Sequence, residues 1–167
     1  MVKKKALNKL INLLDLEQLE NNLFRGQSEN IGGPRVFGGQ VLGQALTAAA
    51  RTVEKKRTAH SLHAYFLRPG DMKQPIIYDV DRIRDGRSFT TRRVIAIQKG
   101  EAIFNMSSSF HKKETGPTHQ IDMPDIPGPE ECISDLEIRK QMIDKVPERF
   151  REFFTRERPI EIRNLPG

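Results

Sequence analysis

The sequence predicts an α+β domain in which a long helix precedes an antiparallel meander, on three observations. The pair Gly38-Gly39 opens an alanine-rich run of helix formers from Gln40 to about Val53. From residue 59 the apolar period falls from about 3.6 to 2, the alternation of a strand. Asp85-Gly86 and Lys99-Gly100 then separate three alternating runs, and both dipeptides suit tight hairpin turns. A sheet built this way has to bury one face on the helix.

Taken in order, Leu7, Leu10, Ile11 and Leu14 recur at i, i+3, i+4 and i+7, which predicts an amphipathic opening helix with its lysines in water. Leu16, Leu19 and Leu23 continue the apolar pattern up to Phe24, after which Gly26, Gly32, Gly33 and Pro34 break it. Residues 25–35 therefore read as irregular or briefly extended. The small residues Gly43, Ala45, Ala48, Ala49 and Ala50 of the central helix allow another backbone to approach closely, as a sheet curved around it requires. In AHSLHAYFLRPG one strand face carries His60, Leu62, Ala64 and Phe66 and the other Ser61, His63, Tyr65 and Leu67, until Pro69-Gly70 stops the run. Three further strands are expected, at Pro75–Arg84, Ser88–Gln98 and Ala102–Lys112.

Pro117, Pro124, Pro127 and Pro129 rule out a continuous helix or central strand beyond that. The expected organisation is a domain over residues 1–112, a Pro-rich linker over 113–130 and a helical connector over 131–167. The connector reads as a helix at 131–146, a short charged one at 148–156, and an alternating Pro159-Ile-Glu-Ile-Arg segment with no partner strand before Gly167.

At 167 residues the chain has room for one modest core. No stretch approaches the roughly 18 apolar residues of a membrane span, and Asn8, Lys9 and Asn12 interrupt what would be a signal-peptide core. Cys132 is the single cysteine, so a reducing cytoplasm is the expected compartment. The net charge of +6 is unevenly placed: residues 1–111 hold 18 Lys and Arg against 10 Asp and Glu, and residues 112–167 hold 10 against 12. A basic surface of this kind attracts phosphates of any origin. With no nucleic-acid motif beside it, nucleic acid is not an expected partner.

Chemistry-bearing residues are sparse. His60 and His63 point to opposite faces of a strand, and His111 and His119 stand apart, so no metal site is expected. His60 remains the candidate general base, against a structural histidine. Cys132 has no nucleophile signature around it, Ser107-Ser108-Ser109 lacks a nucleophile elbow, and phosphate-loop and dinucleotide fingerprints are absent. The start of the central helix, Gly38-Gly39-Gln40, offers unpaired backbone N–H groups that suit an oxyanion or phosphate; the same glycines also serve a turn and tight packing. Arg68, ahead of Pro69-Gly70, and Arg87, on a hairpin, are candidate phosphate contacts or ordinary surface charges.

Four segments in this order, NLLDLEQLENNLFRGQSEN, VFGGQVLGQALTAAA, HSLHAYFLRPGD and PIIYDVDRIRDGRSFTTRRVIAIQKGEAIFNMSSSF, resemble the N-terminal half of acyl-CoA thioesterase II, the TesB-type enzymes. The resemblance covers about residues 11–111, and FRGQS, VFGGQ and FLRPGD together carry it. It implies a hotdog fold, one half of a double hotdog, and hydrolysis of fatty acyl-CoA to free fatty acid and CoA with no cofactor. It also implies that a water-activating Asp, Thr or Ser and Gln belong to a second hotdog beyond residue 167. This half would then supply tunnel wall and CoA contacts. Its open sheet edge would make it a homo-oligomer, and the absence of those three residues here gives the alternative of a non-catalytic acyl-CoA-binding or oligomerisation module.

Overall fold

A computed structural model describes residues 4–30 and 33–165. Gly32, one of the expected breaks, and Gly167 lie outside the described residues. The chain forms two compact units; Asn12–Thr115 holds the sheet and the rest of the chain forms the other.

The opening helix α1 spans Lys4–Leu14. The apolar pattern after it does not carry the helix on. It becomes a hairpin of β1, Glu17–Glu20, and β2, Leu23–Gly26, in which the Arg25 guanidinium grips the Glu17 carboxylate with two bonds of 2.8 Å. Leu16 and Phe24 fall into the core, which explains an apolar spacing that helix and hairpin satisfy equally.

The central helix α2 runs Gly38–Arg51, and then come β3, Arg57–Phe66, β4, Ile76–Asp85, β5, Phe89–Gln98, and β6, Glu101–Lys112. All pair antiparallel in the order β1-β2-β4-β5-β6-β3. The β5–β6 turn puts Lys99 and Gly100 at positive φ, 51° and 79°, the twist a two-residue hairpin needs. The helix α2 lies across one face and touches β2 through β6. Val41, Ala45, Ala48 and Ala49 meet Phe24, Ile76, Tyr78, Val80, Val94, Ala96, Phe104, Met106 and Phe110 there. Alanines on the helix and large side chains on the strands let the two layers approach closely.

One register detail overturns the expected face of His60. Ala59 pairs with Phe110 and Ser61 with Ser109, so a β-bulge at His60 breaks the alternation. Ala64 packs on the core, whereas His60 stands on the opposite face beside Ser109, Phe89 and His111.

In the other unit the expected helix at 131–146 is divided. A two-residue strand β7, Ile133–Ser134, precedes helix α3, Asp135–Gln141, whose first turn is closed by a reciprocal Ser134–Glu137 capping box. Helix α4 covers Glu148–Thr155. Of the strand expected over Pro159–Arg163 only Arg163 lies in one: β8, Arg163–Asn164, pairs with β7.

Candidate functional site

Between the start of α2 and the end of β3 lies an open cleft of about 370 Å³, lined by Val36, Gly38, Val41, Phe66, Leu67 and Ile103 among others. Its floor is apolar, with Phe104 beneath Phe66 in a tilted ring pair 5.0 Å apart. Arg35 and Arg68 supply the charge in its lining, and among the described residues no carboxylate or hydroxyl side chain takes part.

Local chemistry fixes both walls. β3 ends at Phe66, and past Pro69 the chain turns into a loop whose Gly70 carbonyl accepts the Val36 N–H at 3.1 Å. A Cβ at Gly70 would stand 3.0 Å from Val36 Cγ2, so glycine lets the two walls approach. Buried Gln98 holds the same loop to β5. Its Oε1 accepts the Asp71 N–H at 2.8 Å, and its Nε2 donates to the Asp71 and Gln74 carbonyls at 2.9 Å. Hydrogen bonds from the Lys99 ammonium and the Lys73 N–H hold the Asp71 carboxyl below its usual range.

The helix start forms the other wall. Phe37 is extended and gives no side-chain cap, and its carbonyl accepts the Gln40 and Val41 N–H groups. The Gly38 and Gly39 N–H groups meet no acceptor among the described residues, which leaves the positive end of the helix open at the cleft. Both glycines are also closely packed, since a Cβ would stand 3.0 Å from Phe66 Cζ at Gly38 and 2.5 Å from Phe37 Cε1 at Gly39.

The expected site residues divide between two ends of the sheet. Gly38 and Arg68 line the cleft, and Gly39 adjoins it. Arg68 donates to the Ala102 carbonyl at 2.7 Å and lies near Glu101. Gln40 sits on the same turn, but its amide is occupied: Nε2 donates to the Gln27 carbonyl at 3.2 Å and Oε1 accepts the Glu29 N–H at 3.1 Å. His60 and Arg87 are elsewhere. The β3–β6 register runs from Phe66 opposite Phe104 at the cleft to Arg57 opposite Lys112 at the far end, so His60 lies about 20 Å from the cleft along the strand. Arg87 is on the β4–β5 turn at that far end, where Phe89 faces His111. His60 Nε2 lies 2.8 Å from Ser109 Oγ, and His111 Nε2 lies 2.8 Å from Glu114 Oε2. Hydrogen bonds from Lys112, His111 and Ser88 bring the Glu114 carboxyl down to about 2. Among the described residues, no group of three His, Cys, Asp or Glu side chains could hold a metal ion.

Sequence reasoning missed Arg35, Val36, Ile103 and Gln98. FLRPGD is a visible local signal for the loop, but the residues that meet it come from β5, β6 and the helix entry, and only the register brings them there.

A long helix laid on a curved antiparallel sheet is the hotdog architecture. A protein from Alicyclobacillus acidocaldarius described as having a hot dog fold superposes with a TM-score of 0.67 over 75% of this chain and 48% of its own, at 22% identity. The chain belongs to the acyl-CoA thioesterase family, because residues 25–111 match the family model of the acyl-CoA thioesterase N-terminal domain. It is 44% identical over 157 residues to acyl-CoA thioesterase 2 of Haemophilus influenzae, covering 94% of this chain and 55% of that protein. It is 42% identical over 158 residues to human acyl-coenzyme A thioesterase 8, covering 90% and 50%. The crystal structure of acyl-CoA thioesterase II TesB2 from Mycobacterium marinum matches at 49% identity with a TM-score of 0.65, over 72% of this chain and 45% of that one. The chain thus spans about half the length of the curated relatives it matches.

Proposed function

We propose that this chain is the acyl-binding half of a fatty acyl-CoA thioesterase, its cleft seating the acyl chain while the water-activating groups come from a second hotdog. The lining of the cleft carries this reading. Its floor suits a hydrocarbon, the N–H groups at the start of α2 that meet no acceptor among the described residues and the guanidiniums of Arg35 and Arg68 suit the thioester oxygen and phosphorylated carrier, and no described residue of its lining offers a general base. His60 is too remote to serve that role here.

The sheet favours a partner at one edge. The edge strand β1 has four residues and carries Glu17 and Glu20, a protected edge. The other edge strand, β3, has ten residues and leaves Leu62, Tyr65 and Phe66 exposed. We infer that a second copy of this chain or a second hotdog pairs there. A reducing cytoplasm and a role in fatty acid metabolism complete the proposal. No helix among the described residues is long and apolar enough to cross a membrane.

The test is calorimetric titration with a non-hydrolysable palmitoyl-CoA analogue, beside thiol release from palmitoyl-CoA. Saturable binding is expected, with thiol release only when the second hotdog of the family is joined to the chain. A chain that neither binds nor hydrolyses any acyl-CoA overturns the reading.

A further inference from the structure

One wall of the cleft, Leu67, Arg68, Pro69 and Gly70, is loop rather than strand, so its place depends on what ties the loop down. Its start is fixed, because the Leu67 and Arg68 N–H groups donate to the Ile103 carbonyl at 2.9 and 3.2 Å. From there to Ile76, where β4 opens, Gln98 at the end of β5 and Lys99 in the turn after it reach the loop from the sheet side. Gln98 is buried, and its amide uses both ends on the loop, accepting the Asp71 N–H and donating to the Asp71 and Gln74 carbonyls. The Lys99–Asp71 ion pair, 2.9 Å long, reaches water, where such pairs contribute little.

The loop in turn holds the opposite wall. The Gly70 carbonyl accepts the Val36 N–H, and a Cβ at Gly70 would fall 3.0 Å from Val36 Cγ2 and 3.4 Å from Ile103 Cδ1. Gly70 is thus wedged between two apolar side chains of the lining. Val36 leads directly into Phe37 and the open start of α2, so a shift of the loop moves both walls.

We propose that Gln98 is a positioning residue of the acyl cleft: from outside the lining, through the Asp71 backbone and the Gly70–Val36 hydrogen bond, it sets how tightly the cleft holds an acyl-CoA. This rests on the acyl-binding reading above. A glutamine carries an acceptor and two donor hydrogens on one planar group, which matches the one N–H and two carbonyls that face it. An apolar side chain there leaves those three backbone groups unpaired while the loop is docked, so the loop exchanges its docked place for one in water. The affinity of a site whose competent arrangement is only partly populated falls by that fraction.

The test joins amide hydrogen exchange with calorimetric titration of a non-hydrolysable palmitoyl-CoA analogue below its micelle concentration, both well below the unfolding transition. Gln98→Met keeps the side-chain volume and removes the three bonds. In it the Val36 and Asp71 amides are expected to exchange about tenfold faster or more while the Leu67 amide is unchanged, and the Kd is expected to rise about tenfold. Lys99→Ala is expected to stay within about twofold of the parent. Arg92→Met cuts bonds to Thr52 and Asp85 at the far end of the sheet; it is expected to lower stability and leave the affinity as it is, which separates loss of the loop from general destabilisation. Should Gln98→Met not fold, Gln98→Glu carries the same test, because at neutral pH its carboxylate keeps the acceptor for the Asp71 N–H and lacks the donors; the same two changes are expected. Unchanged Val36 exchange or unchanged affinity in the Gln98 variant overturns the proposal, as does an equal loss of affinity in Lys99→Ala or Arg92→Met. Absence of acyl-CoA binding in the parent instead overturns the acyl-binding reading itself, and the Val36 exchange then decides alone whether Gln98 holds the wall.

Discussion

Gln44 is fully buried at the middle of α2, yet every polar atom of its amide has a partner. Its Oε1 accepts the Tyr78 hydroxyl at 2.7 Å, and its Nε2 donates to the carbonyls of Leu13 and Gln27 at 2.7 and 2.9 Å. One side chain thereby joins the central helix, the sheet and the segment entering from α1, and burial raises the Tyr78 phenol far above its usual range, keeping it a neutral donor. Tyr78→Phe removes the donor and leaves Gln44 Oε1 buried without one. A loss of about 1–2 kcal/mol is expected, read as a lower urea midpoint at unchanged slope. An unchanged midpoint would show that the amide finds another donor. Little of this is legible in sequence: Gln44 and Tyr78 are ordinary residues for an amphipathic helix and a strand, and their meeting depends on how helix and sheet are aligned.

At the scale of elements, alternation and dipeptide turns made the meander legible, because a strand with one buried face must repeat every two residues. Register was not. The bulge that turns His60 to the outer face leaves no mark in AHSLHAYF, and the β1–β2 hairpin hides within an apolar spacing that equally fits a helix. The end of α2 is held by another long-range contact, since Arg92 on β5 is 1% exposed and donates to Thr52 Oγ1 at 2.8 Å, to the Thr52 carbonyl at 2.9 Å and to Asp85 at 2.7 Å. Its charge lies where the helix dipole is negative, and its fork ties that end to the β4–β5 hairpin. In the sequence it reads as one more arginine among several on the hairpins. Arg92→Met is expected to cost about 2–4 kcal/mol, a fall of roughly 10 °C in Tm by calorimetry. A change within experimental error would mean that the core alone positions α2.

Across the whole molecule, the fold separates two chemistries along one sheet. Gly38, Arg68 and the loop after β3 converge on the apolar cleft, while the histidines His60 and His111, together with Arg87, gather at the opposite end. Motif order made the first group legible, because VFGGQ and FLRPGD each mark a break between elements in the sequence itself. The separation of His60 and Arg87 from it follows from strand direction, which composition cannot reveal. The cleft offers an apolar seat, a positive helix end and two guanidiniums, and under the proposed function its part is to orient the substrate.

The central claim is that acyl-CoA binds between the start of α2 and the end of β3. Amide chemical-shift mapping with a non-hydrolysable acyl-CoA analogue tests it most directly. Perturbations are expected to cluster at residues 35–41, 66–71 and 102–104 and to leave 84–89 and 58–61 unmoved. Perturbations centred on His60, Arg87 and Ser109 instead, with the cleft silent, would contradict it.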